Sequence, residues 1–291
     1  MDARLVITRP DRPVGRSSRL VPSPVAAFAQ ARGLPVSKPE RVRRNPELWR
    51  AISDASPDAA VVVAYGKILP GEILGLPRLG CVNVHASLLP RHRGASPVPA
   101  AILAGDAETG VVTMRMEEEL DTGPIYLERR VPIAEKEDAG SLSRRLSREG
   151  ADLLVETLHG LQKGTLTPRA QEGEPSYSRP LRREDGEVDW SLPAGEIERR
   201  LRAFTPWPGL HTFLGDERVK ILEAESAGPR RRETGEIWIE GGNAFVGAGG
   251  GTSLLLKRVQ RFGKKPVGGA ELARSLPDGA ARFASVRRDP R

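Results

Sequence analysis

Three polar side chains near the middle of this 291-residue chain have the types and spacing for group-transfer chemistry. Asn83 and His85 alternate along the apolar run Cys81–Val84, and Asp121 opens an Asp-Thr-Gly-Pro turn. An amide, an imidazole and a carboxylate at the ends of two strands is how open α/β sheets build sites at their strand termini. Asp121 beside His85 would favour the protonated ring. An imidazolium and the Asn83 amide would then be two donors for an oxyanion. The same residues also read as ordinary architecture: a satisfied strand end, a packed histidine and a turn carboxylate. Spacing alone favours that plainer reading, and Glu117, Glu118 and Glu119 read as a solvated strand end.

Other chemistries lack their patterns. His85 and His92 are seven apart and Cys81 is the single cysteine, so no zinc spacing forms. No G-x-S-x-G surrounds Ser87 or Ser96, and neither a P-loop nor G-x-G-x-x-G occurs. Direct transfer between two bound substrates, without metal or covalent nucleophile, is what the pattern leaves. The longest apolar run, Ala59 to Tyr65, is too short for a membrane span, which needs about 20 residues. No apolar segment opens the chain as a secretory signal would, and one cysteine suits a reducing compartment.

The elements that would position these residues follow from periodicity and punctuation. A strand at Arg4–Thr8 leads to a loop rich in proline and arginine, TRPDRPVGRSSRLVPSPV. Ser23-Pro24 and Asn45-Pro46 start helices. Ala59–Tyr65 reads as a strand buried on both faces. The chain continues with the strand ending at His85, a helix near Ser96–Ala104, strands at Val111–Met116 and Tyr126–Ile133, and a long helix from Asp138. Alternating strands and helices predict a mostly parallel sheet. Residues 166–185 are polar and proline-bearing, and read as a linker between a domain at 1–165 and another at 186–291. In the latter, a helix from Ser191 precedes five short strands, at 210–214, 219–224, 236–240, 244–247 and 253–259, which suit a small OB-like barrel.

Charge is uneven. Residues 1–50 carry 11 basic and 4 acidic side chains, 51–179 carry 14 and 18, and 180–291 carry 20 and 16. Basic ends around an acidic middle suit either a polyanion touching both ends or a solvated Arg-rich surface. The loop holds Arg9, Arg12, Arg16 and Arg19. Residues 241–270 hold Lys257, Arg258, Arg261, Lys264 and Lys265 and no acid, and read as a phosphate-facing rim.

The segments NVHASLLPRHRGASPVPAAI and ELDTGPI resemble the folate-dependent formyltransferases, whose motif sets Asn and His before SLLP and Asp in D-T-G. The loop TRPDRPVGR, with VVVAYGKILP, VDWSLPAGEIERRLRAFTPWPG and LKRVQRFGKKP, is similar to the branch that acts on charged initiator tRNA. The resemblance implies an α/β, Rossmann-like formyltransferase domain followed by an OB-like domain. It implies transfer of formyl from 10-formyltetrahydrofolate to the methionyl α-amine of initiator tRNA, with no metal, by a monomeric bacterial cytoplasmic enzyme. Asn83, His85 and Asp121 would be catalytic, and Ser87, Leu88, Leu89 and Pro90 would lie at the folate. Arg12, Arg16, Arg19, Lys257, Arg261, Lys264 and Lys265 would meet tRNA. Small-molecule readings within the same family, a sugar-amine formyltransferase or a formyl-folate hydrolase, do not call for these basic segments. A noncatalytic RNA-binding remnant is the alternative from another class. Family members also carry a strand, a Gly-Thr-Pro-type loop and a helix, roughly 25–30 residues, ahead of the segment that begins here at Arg4. The expectation is a reading frame that continues upstream of Met1, and a sheet short of a central strand.

Overall fold

The computed structural model describes residues 1–13, 18–230, 232–276 and 282–284. In chain order the main elements are β1 (Val6–Ile7), α1 (Pro24–Gln30), β2 (Val36–Ser37), α2 (Pro46–Ala55), β3 (Ala60–Val63), α3 (Gly71–Leu74) and β4 (Cys81–His85). They continue with α4 (Pro97–Ala104), β5 (Glu108–Arg115), β6 (Ile125–Pro132), α5 (Ala139–Lys163), α6 (Ala194–Ala203), β7 (Leu210–Leu214) and β8 (Glu217–Pro229). The last are β9 (Ile237–Glu240), β10 (Asn243–Ala248), β11 (Thr252–Arg261), β12 (Val267–Gly268), α7 (Gly269–Arg274) and β13 (Phe283–Ala284). The chain divides into two compact units, one of residues 1–94, 110–130 and 147–177, the other of 95–109, 131–146 and 178–291.

The first unit starts its helices as the sequence predicts. Ser23 Oγ accepts the Ala26 N–H at 3.0 Å and Asn45 Oδ1 accepts that of Leu48 at 3.0 Å, each just ahead of a proline whose missing donor costs nothing there. Its main sheet has the order β3-β4-β5-β6. β3 and β4 run parallel, whereas β5 runs antiparallel to β4, so the sheet is mixed rather than mostly parallel. Helix α5 closes on this sheet where Gly150 lacks a side chain, since a Cβ there would meet Val84 Cγ1 at 2.9 Å. Beside it the buried Thr157 and Thr113 hydroxyls share a 2.7 Å hydrogen bond.

β3 departs from expectation. It pairs with β4 alone, while β1 pairs only with β2 in a separate two-stranded sheet. Val61 and Val63, expected inside, are 43% and 57% exposed. An apolar run is buried on both faces only where strands and helices cover it, and the outer edge of β3 has no strand beside it among the described residues.

The second unit is built on an antiparallel sheet in the order β9-β10-β11-β8-β7-β13, with β12 paired to β11. Its two ends meet: the Phe283 N–H donates to the Gly235 carbonyl at 2.9 Å and Glu236 bridges Arg282, which curls the sheet toward a barrel. All five predicted strands are present, though only part of the set alternates core and outward residues: Ala244 to Ala248 of β10 are all buried, as are Leu210, His211 and Thr212 of β7. Leu210 and Thr212 point in from β7, and Val219 and Ile221 from β8. Helix α6 begins at Ala194 rather than at Ser191, whose hydroxyl is bonded to Asp189 Oδ1 at 2.5 Å.

Candidate active site

Strand β4 places Asn83 opposite Met114 and His85 opposite Val112, so the pleat turns both side chains to one face. The chain then folds back on itself. Ser87, fully buried, donates its hydroxyl to the Arg91 carbonyl at 2.6 Å, and Leu89 packs with Val112, Met114 and Ile125. Pro90 is buried and Leu88 half-buried. Ser87 and Leu89 therefore anchor the loop from within, while Leu88 is the most accessible of the four.

That fold-back carries His92 and Gly94 over His85. The His85 Nε2 lies 3.2 Å from the His92 carbonyl, and Nδ1 lies 3.7 Å from Asp121 Oδ2. The same carboxylate oxygen accepts the Gly94 N–H at 2.8 Å. The Asn83 side chain is half-buried and makes no hydrogen bond among the described residues. The structure thus brings Asp121 to His85 and seats Asn83 two residues before it on the same face.

His85 is only 6% exposed, and burial holds its pKa below the usual imidazole value. The Asp121 charge and the His92 carbonyl pull upward, the nearby His92 ring slightly downward, and burial outweighs them. The expected resting imidazolium is therefore replaced by a neutral ring. The positive charge would appear only when the ring takes a proton, with Asp121 there to stabilise it.

Asp121 itself sits at φ 54°, a left-handed conformation that side-chain-bearing residues rarely adopt. Two residues on, the turn has a glycine for a plain reason, since a Cβ on Gly123 would fall 1.8 Å from the Arg115 carbonyl oxygen. Two residues the sequence reading did not single out hold this turn. Gln171 donates to the carbonyls of Asp121 and Gly123, and Arg93 donates to Gln171. Gln171 carried no signal, lying in a polar stretch without periodicity. Ser176 is a further tie, accepting the His92 N–H on its hydroxyl and the Arg93 N–H on its carbonyl.

The expected tRNA contacts are dispersed. Arg12 and Arg19 are exposed, Arg12 on a two-residue strand paired with Leu20–Val21, and Arg16 lies outside the described residues. The basic rim has acids after all, on the neighbouring strand. Glu225 pairs with Lys257 at 2.7 Å, Glu223 with Arg258 at 3.2 Å, and Glu217 with Arg261. Lys264 and Lys265 stay exposed. A local stretch free of acids is neutralised by its strand partner, which spacing along one strand does not show.

A second basic group was not foreseen. The β7–β8 register sets His211 opposite Lys220 and Phe213 opposite Arg218, all on one face. Arg183 lies close enough to lower the pKa of both Arg218 and His211. Arg218 Nε and His211 Nδ1 are buried without a hydrogen-bond partner among the described residues. Burial first, then Arg218, pushes His211 down to about 4. A depressed histidine binds fewer protons folded than unfolded, so its stability contribution is full above about pH 6.5 and is lost as pH falls toward about 4. With the ring 6% exposed, the loss should reach up to about 3 kcal/mol. Thermal melts of His211→Gln should show a weaker acid dependence over that window, and an unchanged dependence would remove His211 as its source.

Among the described residues no cluster of three His, Cys, Asp or Glu side chains could hold a metal, and no helix is long and apolar enough to cross a membrane. Compared with known proteins, residues 1–158 match the formyl transferase family and residues 180–277 its C-terminal domain. The methionyl-tRNA formyltransferase of Thermus thermophilus is 46% identical over 93% of this chain and 87% of its own, and that of Koribacter versatilis 46% over 91% and 85%. HypX from Aquifex aeolicus, solved with tetrahydrofolic acid, shares the fold at TM-score 0.62 and 17% identity, covering 92% of this chain and 46% of that one. The sugar 3N-formyltransferase WlaRD does so at 0.60 and 16%, covering 82% of each chain. Both the paired domains and relatives this similar over nearly their whole length lead to one conclusion: the chain belongs to the methionyl-tRNA formyltransferase family.

Proposed function

We propose that this protein transfers the formyl group of 10-formyltetrahydrofolate to the α-amine of methionine on charged initiator tRNA. The observation that carries the reading is the approach of Asp121 to the buried His85, with Asn83 on the same face of β4. In this reading the amine nitrogen attacks the formyl carbon and a tetrahedral oxyanion forms. The Asn83 amide donates to that oxygen. His85 takes the amine proton, Asp121 stabilises the resulting imidazolium, and the ring returns the proton to the folate nitrogen as its bond to carbon breaks. Leu88 and the loop through Pro90 would border the folate, with Ser87 and Leu89 fixing the loop's shape.

The pH–rate profile tests this assignment. The reaction needs neutral His85, so kcat/KM should fall on the acid side with an apparent pKa below the 6.5 of an ordinary histidine. Asp121→Asn removes the charge that raises this pKa, so the acid limb should move to lower pH while the plateau falls. A plateau that falls with no shift of the limb would count against His85 as the group that titrates.

Two family matches, ending at 158 and beginning at 180, support a catalytic domain of residues 1–165, a connection of 166–185 and an RNA-binding domain of 186–291. Arg218 and Lys220 on the latter, with Arg183 of the connection, form a basic group beside Phe213 that supplies cations to phosphates; Lys264, Lys265 and the arginines Arg12, Arg16 and Arg19 of the N-terminal loop add to it. Lys257 and Arg261 would contribute less, because Glu225 and Glu217 already hold them. The tRNA dissociation constant should therefore rise steeply between about 50 and 200 mM salt. Arg218→Gln should flatten that slope more than Lys257→Gln, and equal slopes would return the contact to β11. The protein is proposed to work as a monomer in the bacterial cytoplasm.

A further inference from the structure

We infer that Gln171 is a positioning residue for the formyl-transfer site, clamping the Asp121 turn to the loop that covers His85. The inference rests on the catalytic reading above and extends it to a side chain 50 residues away in sequence from Asp121. The Gln171 amide uses both ends. Its Nε2 donates at 2.8 Å to the Asp121 carbonyl and at 2.8 Å to the Gly123 carbonyl. Its Oε1 accepts from Arg93 Nη2 at 2.6 Å and Nε at 3.1 Å. Arg93 is followed by Gly94, whose N–H donates to Asp121 Oδ2. A closed loop of bonds results: Gln171 to the Asp121 backbone, the Asp121 carboxylate to Gly94, and Arg93 back to Gln171.

This loop matters because the turn it closes is a costly one. A non-glycine residue in the left-handed region is disfavoured and persists where its surroundings over-determine it. Gly123 packs against the Arg115 carbonyl, which occupies the space where a Cβ would be, so the turn is tight on that side. Without the amide donors, two carbonyls of the turn lose their partners and Asp121 can swing away from a ring now 3.7 Å distant. Charge stabilisation over such a gap falls with distance, and misplacement of about 1 Å at a reacting constellation can cost about 10²-fold in rate. No other residue type fits as well: glutamate keeps the acceptor for Arg93 but loses both donors, and asparagine is one methylene short.

The test uses the full-length protein, formylating methionyl initiator tRNA with 10-formyltetrahydrofolate. Gln171→Glu and Gln171→Ala should each lower kcat about 10- to 10²-fold, with KM for either substrate changed less than about threefold. Gln171→Ala, which brings in no new charge, should move the acid limb of kcat/KM to lower pH, as Asp121→Asn does, because Asp121 no longer holds the His85 pKa up. A general structural role would lower the melting temperature and leave the limb in place. The decisive comparison is the double variant: in an Asp121→Ala background, Gln171→Glu should cost no further factor in kcat. Gln171→Glu at wild-type kcat, or a full additional loss in the double variant, would overturn the inference. If Asp121→Ala alone keeps wild-type kcat, the catalytic reading fails instead, and the two failures are told apart.

Discussion

Asn83→Ala should lower kcat for formyl transfer about 10²–10³-fold, the usual effect of losing one oxyanion donor. Asn83 is suited to the role because its amide is uncommitted: no hydrogen bond ties it among the described residues, and it projects from the same face of β4 as His85. Its removal leaves no buried partner unsatisfied, so the folded protein should lose little stability, and KM should change less than kcat. An interaction made mainly in the transition state gives that signature. Single-turnover rates with pre-bound substrates check it. A loss confined to KM would instead place Asn83 in substrate binding.

The largest stability effect should come from Trp190→Ala in the second unit. Trp190 has no exposed surface, stacks on Phe283 with ring centroids 5.5 Å apart, and donates its indole N–H to Thr212 Oγ1 at 3.0 Å. Truncating it opens a cavity and removes one of the two hydrogen bonds of the buried Thr212 hydroxyl, which also donates to the Ala284 carbonyl, for a cost of about 3–5 kcal/mol. It also frees Phe283, the residue through which β13 reaches both β7 and Gly235. Denaturant melts should show the loss, and Trp190→Phe should recover part of it by refilling the space without the indole N–H. Equal losses for Phe and Ala would shift the weight from packing to the hydrogen bond.

What could be read in advance followed from local pattern. The barrel strands were visible because short apolar runs such as Leu210–Leu214 and Ser253–Val259 are set off by glycine-bearing turns. The helix starts at Ser23 and Asn45 were visible because capping is a short-range interaction. The site was half legible. The types and order of Asn83, His85 and Asp121 stand in the sequence, but their approach depends on how β4, β5 and the Asp121 turn assemble. What stayed hidden is non-local. Lys257 and Arg261 meet their acids across a strand pair, Gln171 reaches the turn from a stretch without periodicity, and Val61 and Val63 are exposed because, among the described residues, no strand lies beside the outer edge of β3. The neutral state of His85 was missed for a quantitative reason. Proximity of a carboxylate was foreseen, whereas the depth of burial that outweighs it depends on the packed loop over His85.

Formyl transfer chosen by the tRNA that presents the amine is tested by a formylation assay with labelled 10-formyltetrahydrofolate and methionine charged on initiator or on elongator tRNA. Label should appear on the methionyl initiator tRNA, far more slowly on the elongator, and on neither in Asp121→Ala. Formyl-folate hydrolysis without label on tRNA, or binding of tRNA with no transfer at all, would contradict it.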